Sequence, residues 1–321
     1  MRMSFLDLEW LEHAPSKRWL VAVSGGRDSM ALLHACAHDK RLKQSNSLVV
    51  CHVNHQLRGN ASDGDEKLVR RVAEEYGLPC FIQRIDVAGI AKVEKQSLEL
   101  AAREVRHEVF SRACEEYQCD GVLLAHHADD QVETTLYHLL RGSAGLRGMQ
   151  KETYFADKDL TLVRPIIHVR RSEIDGYISA HELEYREDAS NAEPFAVRNR
   201  LRNEVIPLLR EVMGRDVAPA VLKSLNHAEG SEAFIQEMFD YSSMLDPQER
   251  IHLPSMREVP TVIQRRILHR YLRENKVSNV SNDLIESALT LLDASKPAKI
   301  NLPRGRFLRR KEQRIFISIE D

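Results

Sequence analysis

The stretch Trp19–Leu33, WLVAVSGGRDSMALL, decides the fold, because a short apolar run there meets two glycines and then a helical pattern. A glycine pair directly after a buried strand lets the backbone approach a polyanion closely. The helix that follows would point its free N-terminal amide groups at the same place. This pattern predicts an anion-binding loop, for which the alternative is an ordinary strand-to-helix turn. The loop consists of Ser24, Gly25, Gly26, Arg27, Asp28 and Ser29.

The loop differs from a Walker A phosphate loop, because no Gly-Lys-Ser/Thr sequence follows its glycines. Instead, Asp28 offers a carboxylate where a Mg²⁺ ion that bridges phosphates needs a hard oxygen ligand. Without a lysine that reaches the β- and γ-phosphates, cleavage between the α- and β-phosphates becomes the favoured chemistry. The loop therefore predicts ATP and Mg²⁺ as ligands and pyrophosphate as a product.

Short apolar runs rich in β-branched residues recur in the first half of the chain, separated by segments with helical periodicity. They lie at Trp19–Val23, Leu48–Val53, Phe81–Ile85 and Val122–Ala125. This alternation predicts a Rossmann-like α/β domain, with a parallel sheet and helices on both faces. Ligands bind at the carboxyl ends of the strands in such folds. The anion-binding loop, His52–His55 and His126–Glu133 all follow predicted strands, so we expect them to converge on one site.

The pattern changes in the last third of the chain, where helical stretches replace the alternation. We therefore expect a catalytic domain at residues 1–212 and a smaller helical/α+β domain at residues 213–321. Helices are predicted at Val217–Phe239 and at Thr261–Arg273. The segment Ile300–Ile319 alternates basic and apolar residues, as a short β-meander would.

Residues 296–314 carry eight basic side chains against one acid, although the net charge of the whole chain is -2. The basic residues are Lys296, Lys299, Arg304, Arg306, Arg309, Arg310, Lys311 and Arg314. Such a patch can hold nucleic-acid phosphates, and the alternative is the solvated face of a small sheet. On the first interpretation, Arg309 and Arg310 would contact RNA.

The composition, with 43% hydrophobic and 29% charged residues, is typical of a soluble globular protein. No apolar run approaches the ~18 residues that span a bilayer, and the N-terminal residues show no signal-peptide pattern. The five cysteines form no CxxC pair and lie in or beside apolar runs, which indicates buried, reduced thiols. We therefore expect a cytoplasmic protein without a membrane partner.

The loop Ser24–Ser29 matches the SGGxDS loop of the N-type ATP pyrophosphatases. Further stretches resemble one family of that group, the tRNA(Ile)-lysidine synthetases. The longest is Ala125–Gly148, AHHADDQVETTLYHLLRGSAGLRG. The others are His52–Arg58, Ser62–Glu66, Glu99–Arg106, Glu187–Asn191, Arg198–Arg202 and Ile206–Leu209.

The resemblance implies that the protein joins lysine to C2 of the wobble cytidine of the tRNA(Ile) whose anticodon is CAU. ATP would adenylate the C2 oxygen and release pyrophosphate, and lysine would then displace AMP. The resemblance also implies an N-type ATP pyrophosphatase fold, a C-terminal tRNA-binding domain and, as often in this group, a homodimer.

Two acids in the longest stretch, Asp130 and Glu133, stand three residues apart at the predicted start of a helix and would share a face. They would hold the ammonium group of lysine or, with Asp130 joining Asp28, a Mg²⁺ ion near the reacting base. The alternative is a pair of surface acids favoured by the helix dipole.

His126, at a strand end, would hydrogen-bond a phosphate or the charge that develops at the α-phosphorus. His52, which ends another strand, is assigned to the ATP site. Arg103 and Arg106 lie on a predicted helix, where a guanidinium would clamp the α-phosphate or a tRNA phosphate. Pairing of Arg103 with Glu99 on the helix surface is the alternative.

Arg198, Arg200 and Arg202 are spaced by two residues and are candidates for tRNA contacts. On a helix they would fan out, and in an extended stretch they would share a side that faces RNA. The sequence departs from the family at His107, where a tyrosine is frequent. Many relatives also carry a further C-terminal domain, so we expect the short form of the family.

Two other functions compete with this interpretation. A tRNA thiolase of the same group would need sulfur-handling cysteines or an iron–sulfur site, and the lack of a CxxC pair disfavours it. A non-catalytic adenine-nucleotide-binding protein would share the sheet. Such a protein would not need Asp28, Asp130 and Glu133 to converge.

Overall fold

The structure of the chain is a computed structural model that describes most of the sequence. The described residues are 5–8, 18–43, 47–142, 146–186, 197–238, 240–278, 280–303 and 305–319. Of the stretches discussed above, Glu187–Asn191, residues 143–145 of the stretch Ala125–Gly148, and the single residues Phe239 and Arg304 lie outside these ranges.

One sheet organises the first part of the chain. Its strands are β1 (Trp19–Ala22), β2 (Leu48–Asn54), β3 (Cys80–Arg84), β4 (Gly121–Leu123), β5 (Glu152–Phe155) and β6 (Leu160–Val163). They lie in the order β3-β2-β1-β4-β6-β5, and all neighbours are parallel except β5 and β6. The predicted parallel sheet is thus confirmed, and it contains two strands that the sequence analysis did not predict, the parallel strand β6 and the antiparallel edge strand β5.

Helices connect these strands and cover the sheet. They are α1 (Arg27–His38), α2 (Lys40–Lys43), α3 (Asn60–Glu75), α4 (Val87–Glu94), α5 (Leu98–Tyr117), α6 (Ala128–Leu140), α7 (Arg171–Ala180), α8 (Val197–Arg200) and α9 (Ile206–Met213). Successive residues of β1 face opposite sides: Val21 packs with α1, α3 and α7, whereas Leu20 packs with α4 and α5. Both faces of the sheet are therefore buried, as predicted for a Rossmann-like domain.

The chain divides into two compact units, with the boundary between Leu225 and Asn226. The boundary expected from the sequence was at residues 212 and 213. The difference arises because the helix that follows, α10 (Ala218–Met238), begins inside the first unit. There, Ala218 packs with Val132 of α6.

The second unit combines helices with a small antiparallel sheet. Its remaining helices are α11 (Leu253–Glu258), α12 (Thr261–Glu274) and α13 (Asn282–Leu289), and its strands are β7 (Ile251–His252), β8 (Lys299–Leu302), β9 (Arg306–Lys311) and β10 (Arg314–Ile319). The strands lie in the order β7-β10-β9-β8, and β8, β9 and β10 form the predicted meander. None of the helices in the described ranges is both long and apolar enough to cross a membrane.

Three arginines of the basic run form hydrogen bonds within their own unit. Arg310 donates hydrogen bonds to the backbone oxygens of Leu291, Asp293, Ala294 and Lys296. Arg306 donates in the same way to two carbonyls after α12, at 2.8 and 2.9 Å, and Arg314 donates to the carboxylate of Asp246. These three guanidinium groups hold the strands to neighbouring segments of the same unit.

This arrangement predicts that replacing Arg310 will mainly affect stability, whereas replacing its neighbour Arg309 will mainly affect RNA binding. Replacing Arg310 by alanine should lower the free energy of unfolding of the second unit by about 2 kcal/mol, because several carbonyls lose a charged donor. Replacing Arg309, which is predicted to contact RNA, should change stability little. It should instead reduce the salt dependence of tRNA binding by about one phosphate contact.

Urea unfolding and tRNA titrations at several salt concentrations would separate the two effects. A salt dependence that both single variants leave unchanged would mean that this part of the basic run is a solvated face.

Candidate active site

The carboxyl ends of β2, β1 and β4 lie side by side, and the predicted motifs follow them. The anion-binding loop follows β1, His52 lies within the last residues of β2, and the acids begin α6 after β4. The sheet therefore brings together the three segments that the sequence analysis expected to converge.

The loop after β1 is held in its folded shape by its own serines. The Ser29 hydroxyl donates to the carbonyl of Gly26 at 2.8 Å and accepts from the amide of Ser24 at 3.1 Å. Gly25 has a φ of +89°, and a Cβ there would lie 3.2 Å from the Cβ of Asp65. A side chain at Gly25 would therefore be strained twice, by conformation and by contact. The first amides of α1 remain available to an anion.

Asp65 lies in the stretch Ser62–Glu66 and supports the anion-binding loop. Its carboxylate accepts from Arg58 at 2.7 Å and from Arg186 at 2.8 Å, and only 6% of the residue is exposed. The backbone amide of Arg186 in turn donates to the carbonyl of Gly25 at 3.0 Å. The stretch thus supports the anion-binding loop, a role that its sequence alone did not reveal.

Asp28 stands at the first turn of α1 with one oxygen paired and one unpaired. Its Oδ2 accepts from Nη1 of Arg171 at 3.0 Å, whereas its buried Oδ1 has no hydrogen-bond partner among the described residues. Desolvation raises the pKa of Asp28, and nearby His127 and Arg171 oppose that shift. An unpaired carboxylate oxygen beside an anion-binding loop fits a Mg²⁺ ion that is also bound by phosphates.

Within the described ranges, no cluster of three or more His, Cys, Asp or Glu side chains is arranged to hold a metal ion without other ligands. Side-chain oxygens of Asp28 and Asp130 both lie within 4 Å of the same His127 nitrogen, at 3.8 and 3.5 Å.

His127, which the sequence analysis passed over in favour of its neighbour, caps α6. Its Nδ1 accepts from the amide of Asp129 at 3.2 Å, while the carboxylate of Asp130 accepts from the amide of His127 at 3.0 Å. Because Nδ1 is an acceptor, a neutral ring carries its proton on Nε2, the nitrogen nearest Asp28 and Asp130. The signal was present as an acid three residues after the cap, but a histidine is an unusual cap.

Asp130 and Glu133 share a face of α6, as predicted, and both accept from Arg202. The guanidinium reaches the two Glu133 oxygens at 2.5 and 3.0 Å and an oxygen of Asp130 at 2.8 Å. The Glu133 side chain is only 6% exposed, and desolvation raises its pKa although Arg202 opposes this. The alternative of surface acids does not describe Glu133, whereas Asp130 does also serve as a cap.

The three arginines of Arg198–Arg202 fan out, because α8 continues directly into a π-helical turn, Leu201–Val205. Arg198 lines a cavity, Arg200 pairs with exposed Glu204, and Arg202 binds the acids of α6. The extended alternative, with one shared RNA-facing side, is wrong for this segment. A π-helical turn is frequent at functional sites, and here it delivers Arg202.

A cavity of about 470 Å³ lies beside the acids, within the first unit. Its lining comprises Glu99, Arg103, Thr134, Tyr137, His138, Gly148, Met149, Gln150, Thr153, Phe155, Arg164, Val197 and Arg198. Arg103 and Glu99 therefore both face this space. Desolvation lowers the pKa of Arg106, and the positive charge of nearby Arg103 lowers it further. Arg106 also lies near Arg198. The predicted arginines thus form one positively charged region.

His126 and His52 are placed at the strand ends as predicted. His126 is half-buried, and desolvation lowers its pKa to about 4, with Asp130 opposing this and Arg164 adding to it. His52 is 3% exposed, and its Nδ1 lies 2.8 Å from the carbonyl of Val23, while Nε2 has no partner among the described residues. Each ring therefore keeps one nitrogen for a bound group.

Arg27 and the residues around the start of α7 form ion pairs that could not be predicted from the sequence. The side chain of Arg27 pairs with Asp175 of α7 at 2.5 Å. Arg170 binds Asp129 through two nitrogens at 3.1 and 3.0 Å, and Arg171 binds Asp28. These contacts join residues more than forty positions apart in the chain, and only the folded sheet brings them together.

Comparisons with known proteins identify the class that this loop and sheet define. Residues 6–209 match the model of a family described as a PP-loop domain. The fold also resembles that of a U34-tRNA thiolase from Methanococcus maripaludis, with a TM-score of 0.53 and 16% identity over 70% of this chain and 75% of that one. The chain therefore contains a PP-loop domain of the ATP pyrophosphatase type.

Relatives with higher identity narrow the class. The tRNA(Ile)-lysidine synthase of Chlorobaculum tepidum is 33% identical over 85% of this chain and 82% of its own length. The tRNA(Ile)-lysidine synthase of Clostridium tetani is 36% identical over 67% of this chain. The match covers only 45% of the length of the Clostridium tetani protein. The chain belongs to the tRNA(Ile)-lysidine synthase family.

Proposed function

We propose that the protein uses ATP to adenylate the C2 oxygen of the wobble cytidine in tRNA(Ile) with the anticodon CAU, and then joins lysine to C2. The arrangement of Asp28, His127 and Asp130 around the end of the anion-binding loop carries the proposal. It places an acidic, partly desolvated centre next to a phosphate cradle, where a base and ATP would meet.

In the first step, the cytidine O2 attacks the α-phosphorus of ATP. The bond from O2 to phosphorus forms while the bond to the β-phosphate oxygen breaks, and pyrophosphate leaves. The loop amides and the N-terminus of α1 stabilise the departing charge. His126, kept neutral at pH 7 by desolvation, and nearby Arg106 face the charge that develops on the α-phosphate.

Mg²⁺ would be held by the unpaired Oδ1 of Asp28, with Asp130 as a second carboxylate near it. When bound, the ion would neutralise charge on the phosphate oxygens. Around that position, His127 offers the Nε2 proton and Arg171 orients Asp28 through its Oδ2.

In the second step, the ε-amine of lysine attacks C2, and the bond from C2 to oxygen breaks as AMP leaves. Lysine enters as an ammonium ion and must lose a proton to become nucleophilic. Glu133 is suited to accept this proton, because burial raises its pKa towards the working range of a general base. Arg202 occupies the two acids without substrate, so it must give way when the ammonium group binds.

The thiolase alternative gains no support from the cysteines. Cys80 begins β3 and Cys119 precedes β4. Both therefore lie at the amino ends of the strands, whereas the anion-binding loop lies at the carboxyl ends. Burial raises the pKa of each to about 11, which leaves the thiols protonated and weakly nucleophilic at neutral pH.

The test is to supply the protein with radiolabelled lysine, ATP and unfractionated tRNA, and to follow the label into RNA. We expect incorporation that requires ATP and that saturates with the tRNA carrying the CAU anticodon. If label entered RNA only when cysteine was the donor, the thiolase reading would replace this one. No incorporation from either donor would favour an adenine-nucleotide-binding protein.

A further inference from the structure

Asp129 lies in the first turn of α6 but directs its carboxylate at the start of another helix. Its Oδ1 accepts from Nη2 of Arg170 at 3.0 Å, and its Oδ2 accepts from Nε of Arg170 at 3.1 Å and from the backbone amide of Arg171 at 2.8 Å. These three donors belong to the start of α7. An acid in a first turn ordinarily serves the amides and the dipole of its own helix. The carboxylate of Asp129 instead holds two helices together.

The residue whose amide Asp129 binds is also the partner of Asp28. The backbone amide of Arg171 donates to Asp129, while Nη1 of the same residue donates to Oδ2 of Asp28 at 3.0 Å. A backbone hydrogen bond of 2.8 Å from Ala128 to the carbonyl of Val169 supports the same contact between α6 and the segment before α7. Arg171 therefore links the first turn of α6 to the first turn of α1.

These two turns carry the acids that would hold a Mg²⁺ ion. Asp28 lies on α1, and Asp130 follows Asp129 on α6; their oxygens lie 3.8 and 3.5 Å from Nε2 of His127. Two carboxylates that serve one ion must be held close together although their charges repel each other. Mg²⁺ also demands nearly ideal octahedral geometry, so its binding is sensitive to a shift of either ligand. A connection between the two helices therefore bears directly on metal affinity.

Arg170 restricts the orientation of the Asp129 carboxylate. It binds both oxygens of Asp129, and its Nη2 also donates to Oδ2 of Asp216 at 3.0 Å. The other oxygen of Asp216 accepts from the amide of Ala218 at the start of α10, at 3.2 Å. A planar guanidinium held by carboxylates from two separate segments has little freedom to rotate. Arg170 thus fixes the carboxylate that anchors α7.

We propose that Asp129 and Arg170 are positioning residues that set the spacing of Asp28 and Asp130 by anchoring Arg171 between them. Asp129 directs its carboxylate at α7, so it acts through Arg171 and not as a ligand of the ion. The inference rests on the proposed function for the presence of that ion, but its test does not require lysine transfer.

The test compares binding of a non-hydrolysable ATP analogue to the whole protein with and without Mn²⁺, which prefers the same oxygen ligands as Mg²⁺. We expect Mn²⁺ to strengthen analogue binding by the wild type. Asp129→Asn should reduce this metal-dependent gain about tenfold, the usual size of effect when a residue that orients a metal ligand is changed. Binding without metal should stay the same, because the anion-binding loop is intact.

Arg170→Gln should reduce the gain in the same way. Combining it with Asp129→Asn should cause little further loss, because both changes break one contact. Calorimetric titration of the wild type, the two single variants and the double variant measures each gain.

Glu173→Ala is the matched control, since this acid caps α7 by accepting from the amide of Arg170 at 2.8 Å. The variant should lower the urea midpoint through the lost cap and leave the metal-dependent gain unchanged. It separates a weakened helix start from a displaced Arg171.

An unchanged gain in Asp129→Asn would overturn the proposal, as would an equal reduction in Glu173→Ala. If Asp129→Asn failed to fold, an unchanged gain in Arg170→Gln would overturn it in the same way. A reduced gain in Asp129→Asn, with no lysine transfer by the wild type, would contradict only the proposed function. Lysine transfer by the wild type, with an unchanged gain in Asp129→Asn, would contradict only the positioning role.

Discussion

Replacing Asp28 by alanine should abolish ATP-dependent lysine transfer to tRNA, with a loss of about 10³-fold or more, and should leave the protein folded. On the proposed function, the unpaired Oδ1 of Asp28 would supply an oxygen ligand beside the anion-binding loop, and groups that stabilise transferring phosphates contribute effects of this size. Its pKa is raised by desolvation, so its charge is kept at a cost to stability. The urea midpoint of the variant should therefore be no lower than that of the wild type.

Asp39→Ala is the matched control, because Asp39 follows the opposite end of α1 and pairs with exposed Arg41. We expect this variant to transfer lysine normally. Transfer rates, ATP binding and urea unfolding of the three proteins would be compared. Undiminished transfer by Asp28→Ala would refute the metal-binding role of this residue.

Replacing Arg202 by methionine should lower the free energy of unfolding by about 3 kcal/mol at pH 8. The change leaves the nearly buried Glu133 carboxylate without its charged partner, and uncompensated buried charges have costs of this order. Combining Arg202→Met with Glu133→Gln should recover much of the loss, because the neutral amide needs no counter-ion. Urea unfolding of the two single variants and the double variant measures this coupling.

The loss should shrink as the pH falls. A group whose folded pKa is raised binds its proton more tightly in the folded state, so its contribution to stability is greatest at low pH and is lost as pH rises through that pKa. Removing Arg202 raises the pKa of Glu133 further. The variant should therefore approach the wild type as the pH is lowered through the raised pKa of Glu133, and a deficit independent of pH would contradict the ion-pair explanation.

Arg200→Met is the control for the same segment. Arg200 pairs with Glu204 on the surface, with both side chains at least half exposed, and such pairs contribute little. Its urea midpoint should match that of the wild type at both pH values.

Local patterns predicted the frame of the molecule well. The apolar runs of β1 and β2 and the glycine pair are patterns that are visible in short stretches of the sequence. Two strands, β5 and β6, were missed. The side chains of β5 alternate between exposed and half-buried, so it has no continuous apolar run, and β6 is a run of only four residues. The unit boundary differed because α10 packs its first residues on the preceding unit, which periodicity does not record.

The sequence indicated several acids that lie close together in the structure, but it did not indicate the residues that pair with them. Asp28, Asp130 and Glu133 were recognised as acids at strand ends, whereas their partners Arg171 and Arg202 come from distant segments. The role of Asp129 gave no signal, since an acid in the first turn of a helix is ordinary in a sequence. What makes it unusual is that its hydrogen bonds go to another helix, which depends on tertiary structure.

The side chain of His127 combines two roles, the start of a helix and the position of a proton. The same imidazole starts α6 through Nδ1 and presents a proton to Asp28 and Asp130 through Nε2. Serine or aspartate would start the helix equally well but would remove that proton, and lysine would keep a proton but lose the cap. A replacement for His127 would therefore have to supply both the cap and the proton, so stabilising substitutions are better sought elsewhere on α6.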